Sequence, residues 1–202
     1  MSKRARPVVI VLHGPSGVGK DTVIAELTRL TGIKRAITST SRPPRPNERD
    51  GVDYYFLSRE DFEAKVERGD FLEHAEVYGD LKGLERAELE RLLAEGHDVI
   101  IRTDVQGART FRRILPGAVF ILLEAEDSDA YGNRLARRDT ESDESLRRRL
   151  AEVEAELADR GNNDYVITNR HGEARAAAEE IAAVIERERA NPARPPVRLP
   201  SK

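Results

Sequence analysis

GPSGVGKDT, residues 14–22, is the stretch that decides the fold of this 202-residue chain. It follows a short β-branched apolar run at residues 7–13, which is typical of a buried parallel strand. After it, apolar residues recur at helical spacing from Val23 to Leu30, and Gly32 stands where a helix would end. A loop with the spacing G-x-x-x-x-G-K between a strand and a helix predicts a site that binds phosphate groups.

The glycines and the lysine of this phosphate loop have separate tasks. Glycine allows backbone N–H groups to turn inward around an anion, and the N-terminus of the following helix adds partial positive charge. Lys20 then reaches the β- and γ-phosphates as a point charge. A glycine-rich turn without a ligand is the plainer alternative, although here the loop, the lysine and both flanking elements coincide.

Asp21 occupies the position where a Ser or Thr usually offers its hydroxyl to Mg²⁺. A carboxylate beside a triphosphate is repelled unless a cation lies between them, and a hard oxygen anion suits Mg²⁺ directly or through a water. We therefore expect Asp21 to face a magnesium ion. The alternative is that Asp21 only interacts with the helix dipole.

The composition excludes several kinds of chemistry and several partners. The absence of cysteine excludes disulfides, thiolate catalysis and zinc–thiolate sites. A formal net charge of −3 gives no reason to expect non-specific attraction to nucleic acid or to an anionic membrane. No apolar run is long enough to span a bilayer, and the basic start leads into a strand too short for a signal peptide. We expect a cytoplasmic enzyme with one compact core and inserted subdomains.

Two arginines three positions apart, Arg42 and Arg45, lie in a loop stiffened by prolines. Prolines reduce the conformational entropy that such a loop loses when it closes on a ligand. Guanidinium groups form bidentate hydrogen bonds with phosphate oxygens, so the loop suits a phosphate monoester. An ordinary solvated basic loop has the same pattern.

Residues 38–83 have the pattern of a small mixed-sheet insertion. Strands are predicted over 52–56 and 71–78, with a helix over 58–67 between them. Glu73, in the second of these strands, is placed either to bond the edge of a nucleobase or to face water.

Three further stretches complete the predicted core. A helix is expected over 84–95, a buried strand over 97–104 and another over 118–123. Asp104 ends the first of these strands, at the sheet edge where ligands gather in open α/β sheets. Asp104 is equally suited to cap the helix that follows, and both roles can hold together.

Arginine-rich helices are predicted on both sides of a short polar turn. They cover residues 128–138 and 144–157, and they carry Arg134, Arg137, Arg138, Arg147, Arg148 and Arg149. Such a pair suits a mobile lid over a polyphosphate, although a solvated helical hairpin has the same pattern. Beyond it we expect a strand over 163–169, a helix over 173–188 and, in the proline-rich residues 191–202, a disordered tail.

Seven blocks of the chain, taken in order, resemble the guanylate kinase family, and the likeness extends from about Val8 to Ile185. The blocks are residues 14–22, 41–46, 50–56, 71–76, 104–108, 134–141 and 166–169. Any one of these matches is weak, whereas seven in the same order are specific.

This resemblance implies an α/β protein with the P-loop NTPase fold, in which helices flank a parallel β-sheet core. The parts it implies are a core (1–37, 84–127 and 151–190), a mixed α/β nucleoside-monophosphate-binding subdomain (38–83), a helical lid (128–150) and a disordered tail (191–202). The implied activity, in purine nucleotide metabolism, is transfer of the γ-phosphoryl group of MgATP to GMP or dGMP, giving ADP and GDP. We expect a monomer or homodimer whose partners are ATP and GMP rather than nucleic acid or membrane.

The resemblance also implies roles for individual residues. The ATP-binding set would be Gly14, Pro15, Ser16, Gly17, Val18, Gly19, Lys20, Asp21, Thr22, Arg134 and Asn169, with Mg²⁺ at Asp21. The substrate-binding set would be Thr38, Arg42, Arg45, Tyr54, Glu73, Lys82 and Asp104. Within it, Arg42, Arg45 and Tyr54 would hold the GMP phosphate, and Thr38, Glu73 and Asp104 would face guanine. The residues acting on the transferred group would be Lys20, Arg45, Arg138 and Arg149.

Some positions depart from the family pattern. Asp21 and Thr38 each stand where the family has Ser, and Arg102 stands where an acid is common. Lys82 replaces a tyrosine that holds phosphate, a contact that its charge could supply. Leu84 replaces a hydroxyl residue that contacts the base, and it cannot donate a hydrogen bond.

Two other functions stay open at this point. One is a related kinase acting on ribose 1,5-bisphosphate, since such enzymes also have Asp after the loop lysine; the other is a catalytically silent binding module. Glu73 and Asp104 favour a guanine-like base, because a sugar phosphate has no amine to donate to them. Lys20 and the lid arginines favour a working kinase, because a binding module need not keep them.

Overall fold

Two β-sheets and the helices packed on them form the protein in the computed structural model, which describes residues 6–77, 79–126 and 160–201. The strands are β1 Val9–His13, β2 Lys34–Arg35, β3 Ser39–Thr40, β4 Tyr55–Phe56, β5 Phe71–Val77, β6 Asp80–Glu85, β7 Val99–Arg102, β8 Val119–Ala125 and β9 Tyr165–Asn169. The helices are α1 Lys20–Thr31, α2 Arg59–Glu67, α3 Arg86–Ala94, α4 Val105–Ile114 and α5 Ala174–Ala190, with a 3₁₀ turn at Arg160–Asn162.

The core sheet has the strand order β2-β7-β1-β8-β9, and every neighbouring pair is parallel. Strand β1 is central and all five of its residues are buried. Its alternate side chains enter two separate apolar layers. Ile10 and Leu12 pack with residues of α1 and α5, and Val9 and Val11 pack with residues of α3 and α4. The prediction of a parallel core sheet flanked by helices is confirmed.

The small sheet has the order β4-β3-β6-β5, with β6 antiparallel to both of its neighbours and β3 parallel to β4. Phe62 of α2 stacks on Phe71 of β5 with ring centroids 4.3 Å apart, which fixes that helix to the sheet. The helix predicted to begin at residue 84 begins instead at Arg86, because residues 80–85 form β6. The strand predicted over 52–56 is reduced to Tyr55–Phe56.

The predicted disordered tail is wrong for the described residues 191–201, which lie against the core. Arg194 is only 8% exposed, and its guanidinium donates to the carbonyls of Glu188 (2.9 Å), Gly117 (3.2 Å) and Pro7 (3.4 Å). Val197 and Leu199 pack against the α3/α4 layer. Prolines prevent this segment from continuing the helix, which is why disorder was predicted. They do not prevent an extended segment from packing against the core and donating hydrogen bonds to its carbonyls.

The predicted lid, residues 128–150, lies outside the described part of the chain. Within the three described ranges, no helix combines the length and the apolar character that crossing a membrane requires.

Candidate active site

The phosphate loop, residues 14–22, joins the carboxyl end of β1 to α1 with a backbone that only glycine adopts easily. Gly14 has φ 145°, and a Cβ there would lie 2.1 Å from the carbonyl oxygen of Leu123. Gly17 and Gly19 have φ of 82° and 95°. Lys20 begins α1, and its Nζ donates back to the carbonyls of Gly14 and Pro15, the latter at 3.0 Å. The lysine therefore lies over the loop, where an anion would meet it.

Asn169 connects the end of β9 to this loop. It is buried, and its Nδ2 donates to the carbonyl of Val18 at 2.7 Å. Beside it lies a cleft of about 250 Å³, whose lining residues are Gly17, Gly19, Thr22, Asn169, Arg170, His171, Gly172 and Ala174. Sequence reasoning singled out Asn169 but missed Arg170 and His171. Their position directly after a core strand was the signal available for them.

Asp21, in the first turn of α1, lies between two arginines of the core sheet. Its Oδ1 is 3.1 Å from Nε of Arg102, the last residue of β7, and 3.9 Å from Nη1 of Arg35 in β2. The Asp21 side chain is 59% exposed. Two positions that depart from the family pattern, 21 and 102, are thus in direct contact.

Arg42 lies over two aromatic rings and is held by a carboxylate that sequence reasoning missed. Its two Nη atoms donate to Glu48 at 2.6 and 2.5 Å, and its Cζ lies 5.2 Å from the ring centroid of Tyr54. The backbone N–H of Arg45 also donates to Glu48, at 2.8 Å. The hydrogen bonds from Arg42 lower the pKa of Glu48 to about 2. The Arg45 side chain is exposed.

Tyr54 links the small sheet to the core sheet. Its hydroxyl accepts a hydrogen bond from Nη1 of Arg102 at 3.2 Å. Arg102 therefore contacts the phosphate loop through Asp21 and the 38–83 insertion through Tyr54. No local pattern in the sequence indicates this contact, because the partners are 48 positions apart.

Glu73 of β5 and Asp104, the residue before α4, bring two carboxylates to one place. Burial, and then the charge of Asp104, raise the pKa of Glu73 to about 7. Asp104 caps α4, since its Oδ1 accepts a hydrogen bond from the N–H of Gly107 at 2.9 Å. A Cβ on Gly107 would lie 3.4 Å from Oε1 of Glu73, so the helix start closely approaches that carboxylate.

The remaining predicted substrate residues lie in the small sheet or beyond the described ranges. Thr38 is half-buried and its carbonyl accepts from the N–H of Tyr55 at 3.0 Å. Lys82, also half-buried, lies opposite Thr40 in the β3–β6 pair. Leu84 is fully buried in the α3/α4 layer, which explains why an apolar residue is tolerated there. Arg134, Arg138 and Arg149, which are predicted to lie in a lid, fall outside the part of the chain that the structure describes.

Comparison with known proteins identifies one family. The family model described as guanylate kinase matches residues 4–188. The chain is 43% identical over 195 residues to the guanylate kinase of Symbiobacterium thermophilum, which covers 96% of this chain and 92% of that protein. It is 41% identical over 187 residues to the chloroplastic/mitochondrial guanylate kinase 2 of Oryza sativa subsp. japonica, covering 92% of this chain but 66% of the rice protein. The crystal structure of guanylate kinase from Anaplasma phagocytophilum superposes with a TM-score of 0.73 at 30% identity, over 95% of this chain and 90% of that one.

Proposed function

We propose that this chain, which belongs to the guanylate kinase family, transfers the γ-phosphoryl group of MgATP to GMP, giving ADP and GDP. The proposal rests on two features that occur together in this protein: an anion site and a pair of carboxylates. A glycine loop with its lysine forms an anion site at the end of β1, and two carboxylates, Glu73 and Asp104, meet beside it.

The carboxylates support guanine as the base that the acceptor carries. Guanine presents an N1–H and an exocyclic amine on one edge, and carboxylate oxygens accept from both. A hydrogen bond to a charged acceptor is stronger than one to a neutral group, so an ionised Glu73 discriminates in favour of this edge. A sugar bisphosphate has no N–H group to offer these oxygens.

Arg42, Arg45 and Tyr54 are the groups we assign to the acceptor phosphate. Arg42 is held by Glu48 with bidentate geometry, which is also the geometry in which a guanidinium binds phosphate. The exposed Arg45 side chain follows on the same loop. A bound GMP phosphate would compete with Glu48 for Arg42.

The reaction requires stabilisation of negative charge on the transferred phosphoryl group rather than a strong base. The attacking atom is a phosphate oxygen that is already anionic near neutral pH, so no side chain has to remove a proton from it. Negative charge spreads over the transferred group, and positively charged side chains stabilise it. Lys20 supplies such a charge from the phosphate loop, and we assign Arg138 and Arg149 the same task from the lid.

Asp21 is the residue we assign to Mg²⁺, which would compete with Arg102 and Arg35 for the Asp21 carboxylate. The carboxylate is 59% exposed and lies in the first turn of the helix that follows the phosphate loop. Among the described residues there is no group of three or more His, Cys, Asp or Glu that would hold a metal by itself. An ion at Asp21 would therefore take most of its ligands from ATP and water. When bound, it would neutralise charge on the β- and γ-phosphates.

The cleft beside Asn169 is the place we assign to the adenine of ATP. It adjoins Gly17 and Gly19 of the phosphate loop, so a nucleotide with its phosphates in the loop has its base within reach. Arg170 and His171 then form part of the wall around the base.

A coupled assay of the purified chain tests the proposed function. MgATP is offered with GMP, dGMP, AMP, UMP, CMP and ribose 1,5-bisphosphate in parallel. We expect turnover with GMP and dGMP and at least a hundredfold lower kcat/KM with the other acceptors. Those acceptors lack the guanine N1–H and exocyclic amine that would donate to the two carboxylates. Faster turnover of the bisphosphate, or no turnover of any acceptor, would overturn the proposal.

A further inference from the structure

We propose that Arg102 is a phosphate-binding residue of the acceptor site, and that its pairing with Asp21 connects this site to the phosphate loop. The inference rests on the proposed function, since it concerns the GMP phosphate. It adds a residue that stands where the family commonly has an acid, at the carboxyl end of β7.

Two cationic side chains, Arg102 and Arg42, converge on Tyr54. The Tyr54 hydroxyl is 3.2 Å from Nη1 of Arg102, and its ring lies 5.2 Å from Cζ of Arg42. An anion that contacts the hydroxyl of Tyr54 is therefore within reach of both guanidiniums. A phosphate there would add a second anionic partner to each guanidinium, beside Glu48 at Arg42 and Asp21 at Arg102.

Arg102 has donor capacity to spare. Its ion pair with Asp21 runs through the buried Nε at 3.1 Å and its hydrogen bond to Tyr54 runs through Nη1, so Nη2 has no partner among the described residues. The Arg102 side chain is one-third exposed. By contrast, Arg35 is committed to the carbonyls of Asp53 (2.7 Å) and Val52 (3.1 Å), and it stands 3.9 Å from Asp21. Of the two arginines beside Asp21, only Arg102 also contacts Tyr54 among the described contacts.

The placement of Arg102 also has an electrostatic consequence. A nucleotide polyphosphate in the loop and a monophosphate at Tyr54 are two anions that must approach before phosphoryl transfer. A guanidinium that contacts both Asp21 and Tyr54 lies between them and offsets their repulsion. Asp21 in turn keeps this charge from being unpaired when no substrate is bound. Asp21 and Arg102, which both depart from the family pattern, thus form one ion pair.

The test compares the binding of GMP and of guanosine by calorimetry, without ATP. Guanosine presents the same base and no phosphate, so it separates a phosphate contact from a general disturbance of the site. We expect Arg102→Gln to weaken GMP binding about tenfold and to change guanosine binding less than twofold. Arg102→Lys, which keeps the charge, should recover part of the loss and serves where the glutamine variant folds poorly. Equal losses for both ligands, or none for GMP, would overturn the inference.

Arg35→Gln is the matched control, because it removes the same charge from the side of Asp21. Since Arg35 holds backbone carbonyls, we expect it to change GMP and guanosine binding by the same factor. In steady-state kinetics, Arg102→Gln should raise the KM for GMP more than the KM for ATP. If the wild-type protein turns over GMP but Arg102→Gln binds GMP with normal affinity, the role of Arg102 is wrong and the proposed function stands. If the wild-type protein does not turn over GMP, the proposed function is wrong.

Discussion

The side-chain amide of Asn169 donates a hydrogen bond of 2.7 Å to the backbone carbonyl of Val18, although the two residues are 151 positions apart. The contact fixes the tip of the phosphate loop to the end of strand β9. It is closely fitted, because a Cβ on Gly19 would lie 2.6 Å from the same amide nitrogen. The loop is therefore held from outside as well as by its own glycines.

Asn169→Ala should raise the KM for ATP about five- to tenfold and leave the KM for GMP unchanged, because it releases the loop without touching the acceptor site. Steady-state kinetics with each substrate varied in turn measure this. Thr168→Ala is the control, since Thr168 faces Glu124 rather than the loop. Equal changes in both KM values would mean that the hydrogen bond supports the whole fold.

Lys20→Ala should lower kcat by at least about a hundredfold, since it removes a positive charge that stabilises the transferred phosphoryl group. Circular dichroism should show a retained fold, because Nζ donates to the loop carbonyls of Gly14 and Pro15 and Lys20 is not part of the apolar core. Lys34→Ala, on the exposed side of β2, is the control and should keep normal turnover. A near-normal rate for Lys20→Ala would refute its role.

Guanosine binding should release protons near pH 6.5. Burial and the charge of Asp104 raise the pKa of Glu73 to about 7, so much of the free protein carries a protonated Glu73 at that pH. Guanine N–H donors favour the ionised form, so binding expels the proton and affinity should fall as pH drops below 7. Calorimetry in two buffers of different ionisation enthalpy counts the protons. An unchanged release in Glu73→Gln would assign the proton to another group.

The same group makes stability depend on pH. In the unfolded chain the pKa of Glu73 returns to roughly 4.3, so unfolding between pH 4.3 and 7 releases a proton. The contribution of Glu73 to the free energy of unfolding therefore falls as pH rises through this window. Glu73→Gln should raise the Tm at pH 8 relative to wild type, and by much less at pH 4. Thermal melts at both values check this; a gain of the same size at pH 4 would point to packing instead.

Arg194→Ala should lower the free energy of unfolding by about 2–4 kcal/mol, because it leaves three carbonyl groups without their buried guanidinium partner. Chemical denaturation measures the change. Arg198→Ala removes the same charge from an exposed position four residues later and should stay within about 0.5 kcal/mol of wild type. Matching losses in the two variants would contradict the structural role of Arg194.

Much of the core was predictable because its signals are local. The phosphate loop, helix α1 and the αL glycine that ends it, and the cap of α2 at Ser58 all follow from short spacings. Strand β1 is equally clear, since a fully buried parallel strand reads as a continuous apolar run.

The errors arose where partners are distant in sequence. Residues 80–85 carry glycine, lysine and acids with little alternation, and they become β6 because β5 and β3 pair with them from both sides. The contact of Asp21 with Arg102 and the capture of Arg42 by Glu48 depend on the tertiary arrangement of loops. Composition suggested disorder for 191–201, but three carbonyls that converge on Arg194 decide otherwise.

The central place of β1 has a consequence for synthesis on the ribosome. Its hydrogen-bonding neighbours are residues 99–102 and 119–122, so Ile10 cannot pair with Val119 until Val119 has been synthesised. At roughly 5–20 residues per second, this delay lasts several seconds. The small sheet, whose strands lie within residues 39–85, is complete before the second of these neighbours has been made. Until then the nascent chain carries β1 unpaired, a strand in which every residue except His13 is apolar. A holding chaperone would protect the chain most during this interval.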